Sequence, residues 1–291
     1  MNTLAAPVAP AVVLATSVRN ALTVDVEDYF HASALAAHFP REDWVSVPCR
    51  IERNVDRILD LFAGRGVVAT FFVLGWLATR YPQVVRRIVD DGHELASHGY
   101  GHERVGSMTP AAFHTDIARA KALLEDLSGA SVLGYRAPNF SIGADNPWAH
   151  EVIAAAGYRY SSSVCPVRHE RYGMPEAPRF PWRLPSGLSE IPPATVRWLG
   201  RNWPAGGGYF RLLPYAVSRR QIVRINRGEG RAAVFYFHPW EIDPEQPRVA
   251  NAAFKTRFRH YFNLSRTEDR LRRLLADFHW GRMDDVFRDA L

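Results

Sequence analysis

Short segments bounded by turn residues predict strands at residues 21–26, 67–73, 132–135, 158–163 and 232–237, and an apolar run just before His98 predicts the end of another. Three of these segments, 21–26, 67–73 and 232–237, are apolar almost without interruption. An apolar run that does not alternate with polar residues is typical of a strand covered on both faces. Such strands occur mainly in parallel sheets that carry helices on each side.

Between these segments, apolar residues recur at helical spacing. They predict helices at residues 51–62, 82–91, 110–128, 147–156, 215–226 and 252–277. Pro82 and Pro110 suit the first turn of a helix, and Thr109 is a good N-cap. The alternation of strands with helices predicts an α/β fold in which crossover helices join parallel strands.

Residues 164–214 break this regularity. They contain several prolines, three tryptophans and the run Gly206-Gly207-Gly208, which together predict a long irregular loop. A loop of that length inside a compact domain usually has a function.

Composition excludes several classes of protein. The 291 residues are 47% hydrophobic and 23% charged, as in an ordinary globular protein, and no apolar run is long enough to span a bilayer. The apolar segment 11–18 lacks a basic leader, so we do not expect a signal peptide. Cys49 and Cys165 lie far apart, which fits a reducing compartment. We therefore expect a soluble, cytoplasmic protein.

The net charge of +6 comes mainly from arginine, and much of it lies in the C-terminal third. The residues concerned are Arg257, Arg259, Arg266, Arg270, Arg272 and Arg273. They could face an anionic polymer or an acidic membrane surface. Glu268 and Asp269 lie among them, however, which favours a solvated helix face. No nucleic-acid-binding motif accompanies the charge, so no nucleic-acid partner is expected.

Two histidines, His98 and His102, stand four residues apart just after an apolar run that predicts the end of a strand. Gly99 and Gly101 between them permit a tight turn. One turn of that size would bring both imidazoles within reach of a single metal ion. A histidine pair is also common in surface loops, so a metal site requires a carboxylate from elsewhere in the chain.

Reactive side chains follow four of the predicted strands. They are Asp25, Glu27 and Asp28, then His98 and His102, then Arg136, and finally His238. Because the carboxyl ends of parallel strands meet at one edge of the sheet, these side chains should lie together. Two imidazoles and a carboxylate can hold a divalent metal that polarises a carbonyl group. A second carboxylate as general base and a separate histidine as general acid would complete the parts for hydrolysis of an acyl bond.

Four segments together resemble the polysaccharide deacetylases of carbohydrate esterase family four, whose common unit is the NodB-homology domain. The segments are TVDVED at 23–28, SHGYGH at 97–102, GYRAP at 134–138 and FHP at 237–239. Their order and spacing match the family from about residue 22 to residue 239. The resemblance implies an irregular barrel of the (β/α)7 type. It also implies the removal of N-acetyl groups from a hexosamine polymer.

The resemblance divides the chain into a flexible N-terminus, a deacetylase barrel that includes the irregular loop, and a helical C-terminal extension packed on the barrel. These parts are predicted at residues 1–20, 21–240 and 241–291. The stretches VDVEDYF at 24–30, GGGYFRLLPY at 206–215 and HPWE at 238–241 are similar to one branch of the family. That branch is associated with bacterial exopolysaccharide loci of the exosortase (PEP-CTERM) type.

The resemblance also implies roles for individual residues. Asp25 matches the catalytic base, which takes a proton from the attacking water. Arg136 matches the arginine that pairs with this base and keeps it ionised. His98 and His102 match the two metal histidines, and His238 matches the general acid that protonates the leaving amine.

The third metal ligand departs from the family pattern. The family usually has two adjacent acidic residues, whereas here Val26 follows Asp25, so the metal carboxylate is Glu27 or Asp28. Glu27 is preferred because, on an extended strand end, it shares the face of Asp25.

The predicted substrate contacts are less closely tied to the family. The backbone N–H near Asn139 would help to bind the oxyanion. Asn139 and Phe140 stand where an aromatic residue often follows the arginine motif, so contacts there can differ from those of the family. Tyr209 is predicted to contact sugar. For Trp203, contact with sugar and ordinary packing are equally expected.

The leading hypothesis is a metal-dependent N-deacetylase of an N-acetylated exopolysaccharide or its lipid-linked precursor. Zinc is the expected metal, with cobalt or nickel as alternatives. A lipid-linked precursor would require peripheral contact with the inner membrane. Two other hypotheses stay open, a metal-free amidohydrolase that acts on a small cyclic amide and an inactive carbohydrate-binding scaffold. The sugar, its linkage and the oligomeric state are left open.

Overall fold

The structure, a computed structural model, describes residues 17–169 and 173–291. The strands are β1 (Arg19–Val26), β2 (Thr70–Val73), β3 (Glu94–Ser97), β4 (Gly134–Tyr135), β5 (Tyr160–Ser161), β6 (Trp182–Arg183), β7 (Ser189–Glu190), β8 (Thr195–Trp198), β9 (Arg201–Pro204), β10 (Val234–Phe237) and β11 (His279–Gly281). The α-helices are α1 (Ile51–Ala63), α2 (Gly75–Arg80), α3 (Pro82–Asp90), α4 (Pro110–Ser128), α5 (Ala149–Ala155), α6 (Gly208–Leu212), α7 (Tyr215–Val223), α8 (Phe254–Tyr261), α9 (Leu264–Asp277) and α10 (Met283–Val286).

A curled half-barrel sheet lies at the centre of the molecule. Seven of its described strands run parallel in the order β10-β1-β2-β3-β4-β5-β7. β6 pairs antiparallel with β7 at one edge, and β11 pairs parallel with the start of β1. The predicted α/β barrel of the (β/α)7 type is confirmed, in the form of a sheet that the described strand pairs do not close.

The helices cover the sheet with the apolar faces that the sequence predicts. On α1, the side chains of Ile51, Val55 and Ile58 are all buried in the main core. α4 begins at its predicted cap, where the Thr109 hydroxyl accepts a hydrogen bond from the N–H of Ala112 at 3.2 Å. Among the described helices, none is long and apolar enough to cross a bilayer.

The predicted irregular loop at 164–214 contains more regular structure than its sequence indicates. It includes β6, β7, the antiparallel hairpin β8–β9 and helix α6. β7 pairs with β5 and supplies the seventh parallel strand. Two-residue strands leave no periodic pattern, which is why the sequence predicts a loop there.

The C-terminal segment contains the predicted helices, here α8 and α9, but it also returns to the sheet. β11 pairs with residues 19–21 of β1, next to the point where β2 begins to pair with Thr23. The predicted flexible N-terminus lies mostly outside the described residues, and Arg19 and Asn20 already belong to β1.

Candidate active site

The sheet brings together the reactive residues that the sequence places at strand ends. Asp25 lies near the end of β1, and His238 follows β10 on one side of it. His98 follows β3, and Arg136 follows β4 on the other side. Because β10, β1, β2, β3 and β4 are consecutive parallel strands, all four residues emerge at the same edge.

Glu27, His98 and His102 form a compact group of potential metal ligands. The Glu27 Oε1 atom lies 3.0 Å from Nε2 of His98 and 2.8 Å from Nε2 of His102. One ligand atom of each residue lies within 4.8 Å of the other two. Glu27 and His98 are buried, so water competes little for their lone pairs.

The chemistry of this group fits a divalent cation. His98 Nδ1 lies 2.8 Å from the backbone carbonyl of Arg136, which can only accept, so Nδ1 carries the proton and Nε2 presents a lone pair. Burial of Glu27 opposes its ionisation, but His102 and His238 nearby hold its pKa well below the usual value. The result is an ionised carboxylate facing imidazole nitrogens, the donor set that zinc prefers.

The turn between the two histidines is held by a residue that the sequence analysis missed. Asp116, on α4, accepts hydrogen bonds from the N–H groups of Tyr100 at 2.8 Å and Gly101 at 3.0 Å. Gly99 has a φ of +76°, and a Cβ atom there would lie 2.8 Å from the Asp116 carboxylate. A helical aspartate eighteen residues after His98 gives no local signal of this contact.

Asp25 and Arg136 form a buried ion pair beside the metal group. Nη1 of Arg136 donates to Asp25 Oδ1 at 2.6 Å and to the Thr23 hydroxyl at 2.8 Å. Nη2 and Nε of the same guanidinium donate to the hydroxyl and carbonyl oxygens of Ser162. The guanidinium also lies 4.0 Å from the centre of the Phe72 ring. Arg136 is fully buried, so its position, and that of the carboxylate, is closely fixed.

His238 lies on the other side of Asp25, with Nε2 3.9 Å from Asp25 Oδ2. Its Nδ1 lies 3.0 Å from Oε2 of Glu241, whose other oxygen accepts from Arg211 at 3.1 Å. Burial alone would lower the pKa of His238, but the carboxylates of Glu27, Glu241 and Asp25 raise it to about 9. The imidazole is therefore protonated at neutral pH, as a general acid must be.

The spacing between Glu241 and His238 carries a signal in the sequence. An acidic residue three positions after a helix cap, with proline between them, is the pattern of a capping box. Here Glu241 accepts from the backbone N–H of His238 at 3.1 Å and binds its ring as well.

We expect Glu241→Gln to move the alkaline limb of the kcat profile to lower pH, by about one pH unit or more. A raised pKa keeps His238 protonated, and the protonated form is lost as pH rises through that pKa. Removing the Glu241 charge lowers the pKa of His238, so activity is lost at lower pH. Initial rates of acyl-bond hydrolysis measured across pH test this.

The matched control is Glu245→Gln, which makes the same change at an exposed carboxylate four residues away. Its profile should overlay that of the unmodified chain. An alkaline limb that stays in place in Glu241→Gln would show that this carboxylate does not tune His238.

Asp28 lies outside the metal group. Its Oδ1 accepts from the N–H of Tyr29 at 2.8 Å and its Oδ2 accepts from the N–H of Arg50. Its own N–H donates to Nδ1 of His31 at 3.0 Å. Burial raises the pKa of Asp28, and these hydrogen bonds oppose that rise only in part. Asp28 therefore caps the short helix that follows it.

An aromatic cavity of about 480 Å³ opens beside His102. Its lining residues include Phe30, His31, Ser33, Phe39, Trp44, Arg104 and Asn139. The sequence-predicted contact Asn139 thus lies at the site, where its side chain accepts from the Ser33 hydroxyl. Phe140 is buried, with its ring 4.8 Å from that of Tyr236 and 5.4 Å from the Arg136 guanidinium carbon.

The other two aromatic predictions are placed elsewhere. Tyr209 and Trp203 line a second cavity of about 660 Å³, whose lining includes neither the ion pair nor the metal group. The structure therefore does not bring Tyr209 together with the residues at the strand ends. A glycine-rich segment precedes it, and Gly207 packs so closely on Tyr236 that a Cβ atom would lie 2.4 Å from its ring.

Comparison with known proteins agrees with the fold. Residues 44–161 match the family model described as polysaccharide deacetylase, and residues 162–288 match a domain of unknown function, DUF3473. The first match ends at residue 161, in β5, and the second begins at the next residue. Over residues 44–161 the chain is therefore similar to the polysaccharide deacetylase family.

Curated relatives share part of their length with this chain. A peptidoglycan deacetylase of Helicobacter pylori is 30% identical over 39% of the chain and 38% of its own length. A chitooligosaccharide deacetylase of a Bradyrhizobium strain is 27% identical over 57% of the chain and 72% of its own length.

Solved structures share the fold over most of the chain. A candidate polysaccharide deacetylase from Mycobacterium smegmatis superposes with a TM-score of 0.62 at 21% identity, over 94% of this chain and 90% of its own. A deacetylase-type protein from Pseudomonas aeruginosa and PuuE allantoinase give TM-scores of 0.61 and 0.60 at 15% and 14% identity, with the same coverage. At these identities the likeness concerns the fold alone.

Proposed function

We propose that the protein is a metal-dependent N-deacetylase that hydrolyses the N-acetyl groups of a hexosamine-containing polysaccharide or its lipid-linked precursor. The observation that carries this proposal is the group formed by Glu27, His98 and His102 next to the Asp25–Arg136 pair. The family model and the curated deacetylases support the substrate class.

The chain's own residues divide the proton transfers between them. Asp25, paired with Arg136, accepts a proton from the water that attacks the acetyl carbonyl. His238, charged and held by Glu241, donates a proton to the amide nitrogen as its bond to carbon breaks. Water and the amide thus become acetate and a free amine. The Asp25 carboxylate acts as the base and the His238 imidazole acts as the acid.

Glu27, His98 and His102 would hold the divalent ion, which supplies Lewis-acid polarisation of the acetyl carbonyl. We favour zinc because two imidazoles and one carboxylate are ligands of catalytic zinc sites, while cobalt and nickel accept the same donors. The peptide N–H near Asn139 would stabilise the oxyanion.

The test is acetate release from an N-acetylhexosamine oligomer, measured before and after chelation on protein of known metal content. We expect metal near one equivalent, chelator-sensitive acetate release, and recovery of activity on adding zinc or cobalt. Acetate release that persists in metal-free protein would contradict the mechanism. It would favour the alternative hypothesis of a metal-free amidohydrolase. The similarity to PuuE allantoinase does not support that alternative by itself, because it concerns the fold alone.

The cavity beside His102 is the proposed sugar site. His31 is buried there, and its Nδ1 accepts the N–H of Asp28, so the neutral ring carries its proton on Nε2. That Nε2 has no hydrogen-bond partner among the described residues. A buried donor without a partner is costly, and a sugar oxygen would satisfy it. Phe30, Phe39 and Trp44 supply the apolar surface on which a pyranose packs.

We expect His31→Asn to lower kcat/KM for the oligomer by about three- to tenfold, the value of one neutral hydrogen bond. Asparagine can still accept the Asp28 N–H from the position of Nδ1, but it lacks the outer donor. His31→Gln, which retains a donor near Nε2, serves as the matched variant and should keep more of the activity. Equal kcat/KM in both variants and the unmodified chain would remove His31 from the sugar site.

Two narrower proposals follow from the sequence. Residues 24–30, 206–215 and 238–241 support a role in exopolysaccharide production at a locus of the exosortase (PEP-CTERM) type. The two free cysteines, Cys49 and Cys165, support a cytoplasmic location. Detection of the thiols and the enzyme in a cell fraction free of periplasm would test the location, and a disulfide between them would contradict it.

A further inference from the structure

One segment of the C-terminal region carries positive charges that no acidic side chain within the segment balances. Residues 246–267 contain five basic side chains and no acidic one. The basic residues are Arg248, Lys255, Arg257, Arg259 and Arg266. Lys255, Arg257 and Arg259 lie on α8, all three are exposed, and none takes part in the ion pairs found among the described residues.

The same helix presents a row of exposed aromatic rings. Phe254, Phe258 and Phe262 follow at intervals of four residues and are 82%, 47% and 38% exposed. The rings of Phe258 and Phe262 lie 4.7 Å apart, so they form a continuous patch. Exposed apolar patches of this kind mark surfaces that contact a partner or a membrane.

The inner face of α8 is fixed to the candidate active site. His260 is buried, and its ring stacks 4.4 Å from Trp240, which in turn stacks 5.4 Å from His238. Arg211 donates to the carbonyl oxygens of Arg259 at 2.7 Å and Phe262 at 2.8 Å. α8 is therefore attached to the rest of the protein through its inner face. The exposed phenylalanines are not needed for packing of the core.

We propose that the outer face of α8 docks on the anionic surface of a lipid bilayer. Phenylalanines that enter the interface while lysine and arginine side chains meet acidic headgroups are typical of interfacial helices. A soluble polyanion would neutralise the charges but leave the three rings in water. α9 differs, because Arg272 pairs with Glu268 at 2.6 Å, as the predicted solvated helix face requires. The inference rests on the proposed function only in that docking would bring His238 to a lipid-linked substrate.

The experiment is sedimentation of the full chain with two kinds of vesicle, phosphatidylcholine alone and phosphatidylcholine mixed with phosphatidylglycerol. We expect binding to the mixed vesicles only, and weaker binding at higher salt. The triple variant Lys255→Gln, Arg257→Gln, Arg259→Gln should bind about a hundredfold more weakly, at about fivefold for each charge. The double variant Phe254→Ser, Phe258→Ser should lose at least about tenfold.

The matched control is Arg220→Gln, Arg224→Gln, Arg227→Gln, which removes three exposed charges from α7 and the turn after it. It should bind like the unmodified chain. An equal loss in this control would overturn the proposal, as would binding that needs the charges but not the phenylalanines, or binding to soluble polygalacturonate in place of vesicles. Vesicle binding without acetate release would refute only the proposed function, and acetate release without vesicle binding would refute only this inference.

Discussion

Replacing Asp25 with Asn is expected to lower kcat for acetate release by about 10²- to 10⁴-fold, the usual contribution of a general base. Asparagine has the same shape and can still accept from Arg136, but it cannot take a proton from water. Because Asp25 is not among the three clustered ligands, metal content should stay the same. The measurements are single-turnover acetate release and metal analysis on the same preparation.

Thr23→Val is the matched control for this change. It removes the hydroxyl that accepts from the same Arg136 nitrogen and donates to the Phe235 carbonyl, but it leaves the carboxylate in place. It should cost about tenfold in kcat, as expected for the loss of neutral buried hydrogen bonds. The role of Asp25 as base would have to be abandoned if Asp25→Asn retained more than a tenth of the activity.

The sequence predicts the sheet edge well because long-range geometry there follows from a local pattern. Asp25, His98, Arg136 and His238 each follow an apolar run, and consecutive parallel strands necessarily bring such positions together. The cap and first turn of α4 are likewise local, and both Thr109 and Pro110 lie where predicted.

What the sequence could not predict depends on contacts between distant segments. β7 and β11 are two and three residues long, so they exist as strands only because β5 and β1 offer free edges. Asp116 reaches the histidine turn from the middle of a helix. Tyr209 was predicted to contact substrate from its aromatic character, which does not determine which cavity a side chain lines.

Glu27 lies beside His98 and His102 for a different structural reason from the one that the sequence pattern suggests. Alternation along an extended strand suggested that Glu27 shares the face of Asp25. In the structure β1 ends at Val26, and the N–H of Glu27 donates to the carbonyl of Asp25 at 2.8 Å. A tight turn, and not strand alternation, therefore directs Glu27 toward His98 and His102 while Asp28 turns away to cap the next helix.

We expect Glu27→Gln to lose bound metal and, with it, essentially all acetate release. A neutral amide is a poor ligand for zinc, and the two imidazoles alone leave the ion without a charge-balancing donor. Metal content after dialysis against a weak chelator measures the first effect, and acetate release from the oligomer measures the second. The folded state should survive, because the hydrogen bonds of the Glu27 carboxylate within the described part of the chain are those to the two imidazoles.

Asp28→Asn is the matched change at the neighbouring carboxylate, and it should have the opposite profile. Asp28 accepts hydrogen bonds from two backbone N–H groups, and the substitution weakens one of these bonds. The free energy of unfolding should therefore fall by about 1–2 kcal/mol. Metal content and kcat should be close to those of the unmodified chain. Loss of metal in Asp28→Asn with retention in Glu27→Gln would assign the ligand to Asp28, and the proposed site would have to be rebuilt around it.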